Sequence, residues 1–172
     1  MTLHEFNILP KQQIIEELTK CCGSSAWVKK MLPFIPADDM IELLEDAEEE
    51  WNKCNEEDWK EAFSHHPKIG DVESLTKKFA STAHPIVIGW AVGEQSAVNV
   101  ASKETIEALA EGNRLYEEKF GYIFIVCATG RSAEEMLMLL RLRLKNNPEE
   151  EILIAADEQN KITKLRIEKL LE

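Results

Sequence analysis

Little in this sequence points to a metal, a membrane or a nucleic acid. Only four cysteines occur in 172 residues. They are Cys21, Cys22, Cys54 and Cys127, and no two form a C-x-x-C pair. Taken with His65, His66 and His84 they match no tetrahedral zinc spacing, so no metal is expected. A chain of this length buries roughly two-thirds of its unfolded surface without staples. Reduced thiols of a cytosolic protein are therefore expected rather than a disulfide framework. No run of about 18 apolar residues exists, so no membrane span is expected. Met1-Thr2-Leu3-His4-Glu5 carries no basic segment followed by an apolar one, and Leu170-Leu171-Glu172 is no peroxisomal address. These signs predict a cytoplasmic location.

Basic charge is scarce as well. Lys and Arg number 20 against 32 Asp and Glu, a net charge of -12. A nucleic-acid binder needs a basic footprint, and none is present. The acidic runs Glu45-Asp46-Ala47-Glu48-Glu49-Glu50 and Glu56-Glu57-Asp58 read as solvated surface. That excess repels an anionic substrate at long range, so any anion site here needs a local cation. Glycines are few, and Gly121 and Gly130 flank a short extended run without making a phosphate-binding loop. Lys77-Lys78 reads as a solvated helix face.

What is abundant is helical periodicity. Residues 11–22 form a first helix with Ile14, Ile15 and Leu18 on one face. Ser24 or Ser25 caps a second, carrying Trp27, Val28, Met31 and Leu32 before Pro33 stops it. Asp38 or Asp39 opens a third, with Met40, Leu43, Leu44, Ala47 and Trp51 at helical spacing. Asn55 caps a fourth containing Trp59 and Phe63. Residues 64–85 read as less regular, punctuated by Pro67, Gly70 and Pro85. Residues 86–100 and 103–120 read as two long helices. Residues 123–128 are β-prone but too short and solitary for a sheet. Ser132 with Glu135 is a capping box opening a helix to about residue 145. Asn147-Pro148-Glu149-Glu150 opens the last, which runs to about residue 171. The expectation is an all-α, single compact domain of about eight helices spanning residues 1–172.

Three polar features break this apolar patterning. Glu94 has Val87, Trp90, Ala91, Ala97 and Val98 at offsets of three, four and seven on its own helix. A carboxylate on such a stripe is costly unless it is paired or functional. Arg166 sits between Ile162 and Leu170 at offsets of four, with Leu165 beside it. It can pair a carboxylate, hold an anion, or lay its stem on the core and its head in water. His65-His66-Pro67-Lys68-Ile69-Gly70-Asp71 ends the fourth helix. There Pro67 restricts the backbone of His66, an acid/base group suited to neutral pH, although by itself the segment reads first as a plain helix-ending turn with one capping histidine.

At these residues the chain resembles the OHCU (2-oxo-4-hydroxy-4-carboxy-5-ureidoimidazoline) decarboxylase family. The shared features are His66-Pro67 with Ile69-Gly70, then Glu94-Gln95 with Trp90. They continue with Tyr116, Phe120-Gly121-Tyr122-Ile123-Phe124-Ile125 and Gly130-Arg131-Ser132. Glu135-Met136-Leu137, Glu158, Lys161-Ile162 and Leu165-Arg166 complete the set. They run in the family's order from residue 66 to near the end, while the first third matches loosely.

The resemblance implies an enzyme that decarboxylates the ureidoimidazoline to (S)-allantoin without a cofactor, ending urate breakdown. It implies His66 as catalytic histidine, Glu94 as the acid that orients substrate or tunes His66, and Arg166 as the anion-binding group. Gln95, Pro67 and the backbone of Ile125, Val126, Cys127 and Ala128 are implied substrate contacts. A homodimer is implied too. Relatives often carry a small hydroxyl residue where Ala91 stands, so one substrate hydrogen bond is expected to be missing or supplied otherwise. Two competing readings are a non-catalytic helical interaction module and a diverged small-acid lyase on the same scaffold.

Overall fold

Capping residues account for most of the helix starts. The structure, a computed structural model, describes residues 1–67, 71–81 and 102–172. Among the described residues there are nine α-helices and no strand. They are α1 (Leu3–Asn7), α2 (Lys11–Cys21), α3 (Ser25–Met31), α4 (Met40–Asn52), α5 (Glu56–Ser64), α6 (Val72–Ser81), α7 (Lys103–Phe120), α8 (Ala133–Arg143) and α9 (Pro148–Leu170). Ser24 caps α3 and Asp39 caps α4. Asn55 and Ser132 form full capping boxes on α5 and α8. Pro33 falls in a single 3-10 turn after α3. None of the described helices is long and apolar enough to cross a membrane.

Two helices were not expected. The first is α1, held by a capping box in which Thr2 Oγ1 accepts from Glu5 N–H and Glu5 accepts from Thr2 N–H. Its five residues are too few to show a period, yet Phe6 is only 1% exposed. The second is α6, inside the stretch read as less regular, where only Lys77-Lys78 read as a helix face. Asp71 caps it by accepting from the Ser74 amide at 2.9 Å, and Leu75 and Phe79 bury one face at an offset of four. The punctuation of Pro67 and Pro85 masked this periodicity. The expected helix over residues 86–100 lies outside the described residues.

The described chain groups into two compact units. One holds residues 1–67, 125–127 and 148–172. Its core is Phe6, Leu18, Trp27, Met31, Leu43, Ala47, Trp51 and Ile167, all nearly fully buried. The indole N–H of Trp27 donates to Ala47 O and that of Trp51 to Ala156 O, both at 2.9 Å. The large rings are therefore buried without an orphaned donor, and α3, α4 and α9 are tied together.

Among the described residues, the other unit holds 71–81, 102–124 and 128–147. Within it α7 packs on α6 and α8. Gly121 ends α7 with φ 79°, a left-handed cap that glycine adopts without a Cβ penalty. The chain then folds back, and Tyr116, fully buried, gathers Phe120, Phe124 and Tyr122 with ring centroids 4.6, 5.1 and 5.9 Å away. The Arg143 guanidinium lies over the Phe124 ring at 4.7 Å. Residues 120–125, shared with the family, thus owe part of their pattern to packing.

Candidate active site

The first unit places an imidazole against a guanidinium. His66 follows α5, its amide donating to Phe63 O at 3.2 Å. The end of α5 is pinned at two points, to the start of α3 and to the turn that precedes it. Glu61 accepts from the amide and hydroxyl of Ser25 at 2.9 and 3.0 Å. The His65 ring packs directly over Gly23, whose φ of 87° leaves no side chain in the way. His66 is therefore aimed by the residues just before it.

Arg166 reaches the same place from α9. Its Nη1 donates to Cys21 O at 3.1 Å and to Lys20 O at 3.4 Å, carbonyls at the C-terminal end of α2. A helix C-terminus carries partial negative charge and unsatisfied carbonyls, so the cation is well seated there. Its Nη2 lies 3.5 Å from His66 Nδ1. The other imidazole nitrogen, Nε2, is 2.5 Å from Gln159 Oε1. Gln159 in turn donates to Thr163 Oγ1 at 3.2 Å. Gln159, Thr163 and Arg166 lie at offsets of four and three along α9, which puts them on one stripe.

Burial lowers the His66 pKa below its ordinary 6.5, and the nearby Arg166 charge lowers it further; the Gln159 hydrogen bond opposes both. The imidazole is consequently neutral at pH 7 and free to accept a proton. The adjacent thiols are of a different character. Burial pushes Cys21 up to about 11 and Cys22 up to about 12, so both stay protonated and are poor nucleophiles. All four cysteines are free.

Of the residues singled out from sequence, His66 and Arg166 come together, with Pro67 next to His66 and exposed. Ile125 is buried, and Val126 and Cys127 are half-buried in the same unit. The Cys127 N–H donates to Glu158 Oε2 at 2.7 Å, and Lys161 holds the other Glu158 oxygen at 2.5 Å. That N–H is thus engaged within the protein, by a side-chain acceptor rather than a neighbouring strand. Ala128 O accepts from Arg131 N–H at 3.2 Å in the other unit. Glu94, Gln95 and Ala91 lie outside the described residues. Gln159 and Thr163 were missed from sequence. The available signal was two polar residues on the stripe that also carries Ala155, Ala156 and Ile152.

The sequence profile of the OHCU decarboxylase family matches residues 7–168. The chain is 43% identical over 159 residues to the uric acid degradation bifunctional protein TTL of Arabidopsis thaliana, covering 90% of this chain and 46% of that protein. It is 36% identical over 83 residues to a 2-oxo-4-hydroxy-4-carboxy-5-ureidoimidazoline decarboxylase of Amia calva, covering 46% and 47%. The match spans about half the length of each of these two relatives. Among solved structures, a crystal structure of OHCU decarboxylase in the presence of (S)-allantoin matches with TM-score 0.68 and 39% identity, covering 91% of this chain and 97% of that one. By these matches, and with an all-helical architecture that agrees with them, the chain belongs to the OHCU decarboxylase family.

Proposed function

We propose that this chain decarboxylates 2-oxo-4-hydroxy-4-carboxy-5-ureidoimidazoline to (S)-allantoin, the last step of urate degradation, without a cofactor. The observation that carries the reading is a half-buried His66, its proton affinity lowered by burial, held 3.5 Å from the Arg166 guanidinium. One profile match running across residues 7–168 supports treating the chain as a single catalytic domain. By the same family reading it works as a cytoplasmic homodimer.

The chemistry suits these residues. The carboxyl-bearing carbon of the substrate adjoins a ring C=N. When the bond to the carboxylate breaks, its electron pair moves into that C=N and carbon dioxide leaves. The substrate supplies its own electron sink, so the protein needs only to position, stabilise charge and move protons. Arg166 holds the anionic side of the substrate by charge-assisted hydrogen bonds. An anion there offsets the Arg166 charge that depresses His66, so substrate binding raises the proton affinity of the imidazole at the moment it is needed. The ring nitrogen that receives the pair takes a proton from solvent, while His66, with Glu94, takes the 4-hydroxyl proton as the C=O forms and returns one proton to a single face of the adjacent ring carbon. Gln95, Pro67 and the backbone of residues 125–128 frame the substrate.

The test is a coupled assay. Urate oxidase and a hydroxyisourate hydrolase generate the unstable substrate in place, and circular dichroism follows the chiral product. The protein is expected to speed the appearance of optically active allantoin over the spontaneous racemic background. His66→Asn is expected to abolish this with helix content intact. No acceleration by folded wild-type protein on fresh substrate refutes the function, and substantial activity in His66→Asn removes His66 from the mechanism.

A further inference from the structure

Gln159 plays no part in the chemistry above, yet its side chain is completely buried against His66. A buried primary amide must satisfy donors at one end and an acceptor at the other. Its Nε2 donates to Thr163 Oγ1 at 3.2 Å. The Thr163 hydroxyl spends its own proton on the main-chain oxygen of Gln159 at 3.0 Å. With that proton committed, Thr163 Oγ1 acts only as an acceptor toward the amide. The nitrogen end of the amide must therefore face Thr163, and the oxygen end must face His66.

An amide oxygen accepts and never donates, so His66 Nε2 carries the hydrogen. In a neutral imidazole Nδ1 is then the lone-pair nitrogen. Arg166, which has donors and no acceptor, lies on that side at 3.5 Å. Both neighbours require the same tautomer, and the requirement originates in the Thr163 hydroxyl two links away.

We propose that Gln159, oriented by Thr163, is a positioning residue that holds His66 as the Nε2–H tautomer and reserves Nδ1 as the nitrogen that exchanges the proton with substrate. This rests on the reading of His66 as the proton-handling group. Its consequence is directional. Proton transfer occurs on the Arg166 side of the ring, where the substrate anion is held, and Nε2 stays occupied throughout the cycle.

The experiment is nitrogen-15 NMR of the histidine rings in full-length wild-type protein, Gln159→Met, Gln159→Glu and Thr163→Val, alongside kinetics. Wild type should show His66 with a protonated Nε2, a lone-pair Nδ1 and an Nε2 proton protected from solvent exchange. Gln159→Met keeps the volume and should fold. It should lose the protected proton and mix the two tautomers, with kcat falling on the order of 10²-fold and KM little changed. Thr163→Val frees the amide to flip and should shift the same signals in the same direction. Gln159→Glu restores an acceptor and should restore the protected Nε2 proton, while moving the His66 titration and the pH profile upward. A wild-type ring with the lone pair on Nε2 overturns the proposal. So does a Gln159→Met protein with unchanged ring signals or wild-type kcat, or a Gln159→Glu protein that does not regain the protected proton. The spectra need no substrate. Failure of the decarboxylase assay with the expected spectra therefore sinks the function and leaves the tautomer assignment standing.

Discussion

Replacing Gly23 by alanine should damage both the stability and the site, because this glycine is where the His65–His66 turn rests. The cost has two parts. The backbone at Gly23 has φ 87°, a region that costs an L-residue with a Cβ roughly 1–2 kcal/mol. A Cβ placed there would also sit 2.6 Å from His65 Nδ1, 2.7 Å from its Cβ and 2.8 Å from its Cγ. Carbon atoms in good contact lie about 3.5–4.0 Å apart, so the ring must retreat by close to 1 Å. Because the His65 Cβ is among the clashing atoms, a rotamer change cannot relieve the overlap and the main chain must move. Overpacking of this kind costs about 1–3 kcal/mol, which brings the total to about 2–5 kcal/mol. Urea unfolding at 25 °C measures it, and with a slope of about 2 kcal/mol/M the midpoint should fall by roughly 1–2.5 M. The displaced turn carries His66, so kcat should drop by on the order of 10²-fold. Gly23→Ala combined with His65→Ala isolates the share of the overlap that belongs to the His65 ring. Removing the ring should recover about 1 kcal/mol of the overlap and none of the φ strain. A Gly23→Ala protein within about 0.5 kcal/mol of wild type and with unchanged kcat refutes the reasoning.

Two further outcomes follow from the site. Stability should fall as pH drops through the ordinary histidine value of 6.5 toward the lowered value His66 has in the folded chain, because in that window the unfolded chain binds the extra proton. Urea midpoints from pH 5 to 8 check this, and a His66→Gln protein with the same pH slope as wild type would show that another group is responsible. Glu94→Gln should keep the wild-type circular dichroism spectrum and lose most of its turnover. Failure to fold would assign Glu94 a structural role instead, and full activity would remove it from the chemistry.

The helix starts were legible because capping is local. Ser24, Asp39, Asn55 and Ser132 each meet an amide two or three residues on, and that spacing is visible in the sequence. The same logic finds α6 in retrospect, since Asp71 and Ser74 carry a cap and Leu75 and Phe79 a period. There the breaker residues were given too much weight. Arg166 stood out as a charge on an apolar face, but its seat did not. The carbonyls that hold it belong to Lys20 and Cys21, 146 and 145 residues away. No periodicity argument spans such a separation, and a carbonyl acceptor leaves no side-chain signature.

Gln159 is the more instructive miss, because its signal was present and was not weighed. Glu94 drew attention as a polar residue with apolar neighbours at offsets of three, four and seven. Gln159 has Ile152, Ala155, Ala156 and Ile162 at those offsets, with Thr163 and Arg166 as the polar exceptions, and it is more deeply buried than Arg166, the other partner of the site histidine. A charge on an apolar stripe is conspicuous because its burial is costly. A neutral amide is overlooked because its cost is smaller, although an unsatisfied buried amide still costs about 1–3 kcal/mol. On α9 that cost is avoided only by a specific arrangement, Thr163 to one end and His66 to the other. A buried Gln four residues before a buried Thr, with an Arg three residues further on, therefore marks a stripe whose polar groups must point at something. Here the stripe points at the imidazole.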